Sequence, residues 1–268
     1  LVIIVVLCFR LKYGFYQKNS VEVWVFDIGQ GDAIFIRGPE RKILIDGGPD
    51  NTILEKLGQV LLYWDRDFDF LINTHAHSDH LFGLAVVSDR YDIGNFLYNG
   101  LGYNSGLLAH VENLNNLKKV SYGDVIDLGG GAILSVLWPD ANYANYNLPW
   151  EQNNMSVITL LEYQGVKIMF TGDAGIEVEN SLAPVDDIDI LKVSHHGSDS
   201  ATSMKFLENV NPEVGVISVG RDNKYGLPDI GTINRLKLND VEILRTDQIG
   251  DVKIVIKNGT YFIKTFLN

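Results

Sequence analysis

A single cysteine, Cys8, in 268 residues leaves no partner for an intrachain disulfide, so redox chemistry gives no compartment. Positive charge is also scarce: 22 Lys and Arg against 34 Asp and Glu set the net charge at -12. That balance excludes a protein that coats nucleic acid by bulk electrostatics. A local basic patch or bound divalent cations can still meet phosphate. No apolar run reaches the ~20 residues that a membrane-crossing helix requires. The run Leu1 to Phe9 is too short, yet Arg10 and Lys12 end it and polar Tyr16 to Ser20 follow. It reads as the tail of a transmembrane helix or a shortened signal or anchor, with a buried strand as the rival. Residues 1–20 are therefore set apart from a domain expected over 21–268. Fixed-period repeats, low-complexity tracts and a linker are missing too. What remains, 46% hydrophobic and 21% charged, is an ordinary globular chain with length for one large domain or two small ones.

Histidine is equally sparse, six in all, but five of them stand at two places. The first is Thr74-His75-Ala76-His77-Ser78-Asp79-His80, at the end of the strand-like Phe68 to Thr74. On a helix His75 and His77 would diverge; in an extended turn they can share one ion. Asp79 and His80 sit just before a run with helical spacing and can serve a second ion. Zinc and manganese accept such nitrogen and oxygen donors. A polar loop of hydrogen-bonded histidines would explain one His better than it explains HxHxDH. The second place, His195-His196, closes the strand-like Asp187 to Ser194. Between them Asp173 follows another hydrophobic strand inside a glycine-flanked turn, and a carboxylate can bridge two cations where an imidazole cannot. Three strand-end polar sites free to converge on one sheet edge suit a dinuclear centre. His110 stands alone in a helical stretch and reads as a surface or packing residue.

The pattern elsewhere is of short strands, glycine turns and later helices. Val21 to Ile28 alternates as a strand, and Ala33 to Gly38 and Lys42 to Gly48 follow as two more. Thr52 to Trp64 has helical spacing, with Thr52 and Glu55 forming a capping-box pattern. Residues 98–119 are expected to carry a helix. Asp124–Leu128, Ala132–Trp138, Met155–Tyr163 and Val166–Gly172 read as strands. The last third alternates strand and helix and closes in a hairpin around Asn258-Gly259. Two strand-rich halves imply two packed sheets with helices outside.

HxHxDH, the later Thr171-Gly172-Asp173 and the strand-end histidine together resemble the metallo-β-lactamase fold superfamily. "FDIGQGDAIFI", "ILIDGG", "NNMSVITLLEYQGVKIMFTGD", "LKVSHHGSDS", "SVGRDNKYGLP" and "RTDQIGD", in this order, are similar to the C-terminal metallohydrolase domain of ComEC-type competence proteins. The resemblance runs from about Val21 to the C-terminus. It implies an α+β, four-layer αββα sandwich with two divalent ions, zinc or manganese, and no organic cofactor. It further implies a nuclease acting on DNA beside a bacterial membrane DNA-uptake channel. Basic residues after the apolar run favour the cytoplasm, whereas the resemblance favours the extracytoplasmic face and is given more weight. His75, His77 and Asp173, with Asn153, are expected around the first ion. Asp79, His80, Asp173 and His195 are expected around the second, with His196 as the alternative to His195. Asp79, His80 and Asp173 form the expected catalytic set. Asp32 and Asp46 are expected to orient ligand histidines, and His196, Ser198, Asn223 and Tyr225 to touch substrate. Lys192, Arg221, Lys224 and Arg245 are read either as a basic rim or as scattered solvated charges.

Two departures stand out. Asn153-Asn154 falls where many members of the superfamily have a ligand histidine, which would loosen the first site or turn it towards manganese. Leu227 falls where the late family motif has His. Two rivals remain: a hydrolase of small esters or phosphodiesters using the same site, and a non-catalytic module of a membrane assembly.

Overall fold

The computed structural model describes residues 19–101, 116–141 and 152–267. The apolar run Leu1 to Phe9 and His110 lie outside them, as does most of the helix expected in 98–119. Strands are numbered in chain order. The first sheet is built from β1 (Val21–Val25), β2 (Ile34–Arg37), β3 (Lys42–Ile45), β4 (Asp67–Ile72), β5 (Asp92–Tyr98) and β6 (Leu117–Lys119). The C-terminal hairpin β14 (Asp251–Lys257) and β15 (Thr260–Phe266) extends it beyond β1. The second sheet holds β7 (Val125–Gly129), β8 (Ala132–Trp138), β9 (Ile158–Tyr163), β10 (Val166–Phe170), β11 (Ile190–Lys192), β12 (Val214–Ile217) and β13 (Glu242–Arg245). Helices are α1 (Thr52–Val60), α2 (Ser78–Ser88), α3 (Ile176–Glu179), α4 (Met204–Val210), α5 (Ile230–Leu238) and α6 (Thr246–Ile249).

Alternation along the strands explains the layers. In β1, Val21, Val23 and Val25 face inward with Ile36, Ile45 and Ile254, and meet Leu134, Leu161, Ile168 and Val216 of the opposing sheet. The other faces pack outward. Phe35, Leu44 and Leu71 meet Ile53, Leu57, Leu81 and Leu84 of α1 and α2. Met169, Leu191 and Ile217 meet Val178, Phe206, Leu207 and Leu236 of α3, α4 and α5. This is the αββα sandwich. Among the described residues no helix is long and apolar enough to cross a membrane.

The expected capping box does not form. Asp50 accepts the Thr52 amide hydrogen at 2.8 Å, so Thr52 is already helical, and Asn51 at the N-cap makes no side-chain bond. α1 also stops at Val60, because Leu61 turns extended and leaves Tyr63 and Trp64 in solvent. α2 begins earlier than its apolar spacing suggests and takes Asp79 and His80 into its first turn.

The topology gathers strand ends. β3, β4 and β5 run parallel, as do β10, β11 and β12, and the loops leaving them open on one edge of the sandwich. Gly47 after β3 and Gly83 in α2 hold that edge together. A Cβ on either would fall on the backbone of the other, while Gly47 donates to His80 O at 2.8 Å and Gly83 to Gly48 O at 3.0 Å. Alanine normally favours a helix over glycine by about 1 kcal/mol. Gly83→Ala is nevertheless expected to destabilise by roughly 2–3 kcal/mol through backbone overlap. An unchanged melting temperature would contradict this packing.

Candidate metal centre

Every side chain of the centre leaves that edge. His75 and His77 follow β4, Asp79 and His80 open α2, and Asp46 follows β3. Asp173 follows β10, His195 and His196 follow β11, and Asn153 lies in a short 3-10 turn before β9.

Asp173 is the hub. Its Oδ2 lies 3.3 Å from His80 Nε2, 3.6 Å from His196 Nε2, 3.8 Å from His195 Nε2 and 3.9 Å from His75 Nε2. His196 Nε2 is also 3.7 Å from Asp79 Oδ2. These spacings are long for hydrogen bonds. They approach the roughly 3.4 Å edge between two ligands of one tetrahedral ion at about 2.1 Å. Ligand atoms of His75, His80 and Asp173 lie within 4.8 Å of one another, as do those of Asp79, His80 and His196. His80 Nε2, His196 Nε2, Asp173 Oδ1 and Asn153 Oδ1 are buried without any hydrogen-bond partner. Buried polar atoms are rarely left so. A borderline divalent cation fits this mixed nitrogen and oxygen set.

The outer nitrogens are tied down. His80 Nδ1 meets Asp46 Oδ2 at 2.7 Å, and His196 Nδ1 meets the Ser218 carbonyl at 3.0 Å. His75 Nδ1 meets Thr74 Oγ1 at 3.0 Å and lies 3.4 Å from Ser156 Oγ. Each ring thereby turns Nε2 inward, the arrangement that fixes the tautomer of a ligand histidine. Asp46 is itself held by the Thr74 amide at 2.8 Å and hydroxyl at 2.6 Å. Its left-handed backbone, φ 55, persists because these bonds over-determine it.

Charge is balanced by protons when no cation is present. Burial opposes ionisation of Asp173, but the imidazolium charges of His196 and His80 outweigh it and hold the carboxyl well below its usual range. Burial likewise opposes charge on His80, yet Asp173 and Asp46 raise it well above 6.5. His196 is lifted to about 9 against burial, by Asp173 and then Asp32 and Asp79. Burial and the neighbouring His80 charge depress His75. A raised folded-state histidine contributes stability below its unfolded value and loses it as pH rises through the folded one. Metal-free protein is therefore expected to lose the His196 contribution between pH 6.5 and about 9. Ligation needs neutral imidazoles, so metal affinity should climb over the same window, about tenfold per pH unit for each proton displaced. Calorimetry in buffers of different ionisation enthalpy counts those protons, and none released would contradict the assignment.

The adjacent histidines divide differently from the expectation. His196, buried, stands with Asp79 and His80, while His195 is partly exposed and turns towards Asn153, whose Nδ2 is 3.4 Å from its Nε2. Consecutive left-handed residues, His195 at φ 48 and His196 at φ 53 followed by Gly197 at φ 81, produce this split. His196 accordingly points its Nε2 to Asp79 and Asp173. His77 Nδ1 lies 3.0 Å from His75 Nε2, and His77 joins no three-residue ligand group among the described residues.

Two cavities, about 320 and about 270 Å³, meet at Asn153, Asp173 and His195. The larger is also lined by Gln30, His77, Asp79, His196, Tyr225 and Leu227, so the residue in place of the family histidine presents an apolar side chain to the centre. Tyr225 is 60% exposed on its rim, with Lys224 Nζ 5.0 Å from the ring centroid. Asn223 is bonded within its own loop. Its amide binds the Gly220 and Leu227 carbonyls and accepts from the Tyr225 and Leu227 amides, fastening its own loop. Ser198 bonds Ser200, and it is Ser200 that lines the cleft and meets His195 Nδ1 at 3.2 Å. Lys192 is buried against Asp32 at 2.7 Å, and Arg245 is paired with Asp247 at 2.7 Å. Arg221 and Lys224 alone of the four expected rim cations stay exposed on the Tyr225 loop. Asp32, besides Lys192, reaches within 3.5 Å of His196 Nδ1. Thr74, Ser156, Ser218 and Ser200 went unnoticed in the sequence, since lone hydroxyls and carbonyls carry no spacing signal.

Residues 26–140 match the family model described as the metallo-beta-lactamase superfamily. The chain is similar to ComE operon protein 3 of Bacillus subtilis, 29% identical over 92% of this chain and 34% of that protein. It is also similar to competence protein ComA of Neisseria gonorrhoeae, 26% identical over 90% of this chain and 33% of that one. The chain thus spans about a third of the length of these curated relatives. A shorter match, 32% identical over 24% of either protein, is to exodeoxyribonuclease YycJ of Bacillus anthracis. Among solved structures, a metal-dependent hydrolase of the beta-lactamase superfamily shares the fold at a TM-score of 0.54 and 13% identity, over 92% of this chain and all of that one. Its two sheets, helical flanks and histidine-rich edge form the metallo-β-lactamase fold, and residues 26–140 are those that match the superfamily's model.

Proposed function

We propose that this domain hydrolyses phosphodiester bonds of DNA. The observation that carries the reading is the Asp173-centred ligand set opening on a cleft lined by the exposed Tyr225, with Lys224 5.0 Å from its ring and Arg221 exposed on the same loop. A nucleotide offers both a face to stack and a charge to neutralise. The names of relatives, a competence protein and an exodeoxyribonuclease, support the same substrate class. His75, His77 and Asp173, with Asn153 beside them, would hold one divalent ion; Asp79, His80, His196 and Asp173 would hold the other. When bound, such a pair supplies Lewis-acid polarisation of phosphate and a nucleophile from water at neutral pH.

The chain's own groups do the rest. Asp79 stays ionised, because His196, 3.7 Å away, and the His80 charge outweigh its burial and hold it at about 2. Its carboxylate can accept a hydrogen bond from an attacking water and aim it at phosphorus. Asp46 fixes the His80 ring, and the buried Asp32–Lys192 pair packs behind His196. Tyr225, Lys224 and Arg221 would position the strand. In this reading the domain works at a bacterial membrane beside a DNA-uptake channel, on the extracytoplasmic face, which the resemblance to competence proteins supports.

The test is incubation of end-labelled single- and double-stranded DNA with protein stripped of metal and reloaded with manganese or zinc, beside Asp79→Ala. Metal-dependent cleavage that the substitution reduces by about 10³-fold or more is expected. Metal uptake without cleavage of either form would remove DNA as substrate and favour small esters or phosphodiesters.

A further inference from the structure

Beyond the α1 cluster, which takes in Trp24, and Lys56, which reaches Asp251, the outer face of β1, β14 and β15 is open, with Phe262 59% and Phe266 41% exposed. Outward positions there bring Trp24, Lys253, Phe262, Lys264 and Phe266 together. Trp24 pairs with Lys253 and Lys253 with Lys264 across adjacent strands, so two lysines occupy facing positions, with the Lys253 ammonium turned to Glu22 and Trp24. The acids on this face are already engaged: Glu22 by Arg37 at 3.1 Å and Lys253 at 2.9 Å, Asp251 by Lys56 at 2.7 Å. Lys264 makes no ion pair among the described residues. The rings flank these cations. Trp24 meets Phe266 at a tilt of 31° with centroids 5.2 Å apart and lies 4.7 Å beneath Lys253 Nζ, and Phe262 stands four residues from Phe266, about 13 Å along the strand. On a chain of net charge -12, a face that pairs lysines with open aromatic rings calls for an anionic partner with flat faces.

We propose that this face is a track for single-stranded nucleic acid leading to the metal centre, an inference that rests on the reading of the site as a DNA hydrolase. Continuity favours a strand over other anionic partners. β1 passes from Trp24 into the loop whose Gln30 lines the cleft, and the Phe266 end of β15 lies at the edge where the ligand side chains emerge. Stacking on rings with lysines between them is how sequence-tolerant strand binding is built.

The test is fluorescence anisotropy of a labelled oligothymidylate with the metal-free chain in chelator, so that cleavage plays no part. Lys264→Glu with Phe262→Ala, both exposed positions, is expected to weaken binding by about tenfold or more and to flatten the salt dependence by about one to two counterions. Lys264→Gln alone should flatten the salt dependence by about one and keep most of the affinity. Equal affinity in parent and doubly substituted protein overturns the track. So does an effect confined to phosphatidylserine vesicles, which would make the face a membrane contact. Hydrolysis of bis(p-nitrophenyl) phosphate by the unsubstituted, metal-loaded chain is followed separately. If that fails, the catalytic reading falls, whereas the binding result judges the track by itself.

Discussion

Asp173→Asn is expected to lower kcat/KM by more than about 10³-fold, equivalent to about 4 kcal/mol of transition-state stabilisation, and to strip metal from both halves of the centre. The geometry is the reason. One carboxylate oxygen lies within 3.9 Å of four imidazole nitrogens contributed by two separate segments, the one after β4 and the one after β11. An amide of the same shape keeps the packing but removes the negative charge that holds His80 and His196 in their raised states. The variant should therefore fold, bind divalent metal weakly and titrate these histidines at lower pH. NMR of the imidazole protons reads the last effect. Retention of two ions at parental affinity would contradict the placement of Asp173 as the shared group.

The second large effect separates two neighbours. His196→Ala is expected to remove one of two ions and to reduce hydrolysis by about 10³-fold, since His196 Nε2 faces both Asp79 and Asp173. His195→Ala should retain both ions and lose activity by no more than about tenfold to a hundredfold. Its ring lines the cleft, bonded to Ser200 and near Asn153, outside the ligand groups. Elemental analysis of the two variants after dialysis decides. The reverse pattern would mean that the left-handed turn at these residues carries the other ring inward.

Much of this site was legible because ligand chemistry concentrates rare residues. HxHxDH after a strand and Asp173 in a glycine-flanked turn announce themselves by type and spacing, and parallel strands bring their ends to one edge. The choice within His195-His196 was not legible. It depends on two successive positive φ values, and spacing says nothing of backbone handedness at non-glycine residues. Lys192 misled for a related reason: a lysine in a strand next to a histidine pair looks like a rim charge, but Asp32, distant in sequence, takes it into the core. Asn223 reads as a substrate contact because amides bind ligands and backbone alike, and its bonds to the loop's own carbonyls carry no spacing signal. The sandwich itself followed from alternation, whereas the limits of α1 did not, because the Asp50 cap and the extended Leu61 are local choices.

The most direct test of the central claim is the metal content of the chain at equilibrium with manganese or zinc, measured together with cleavage of end-labelled DNA. The account predicts two ions per chain in the parent, one in His196→Ala, and DNA cleavage that follows occupancy of both. A parent chain that binds fewer than two ions at saturation, or cuts DNA equally well in chelator, would contradict it.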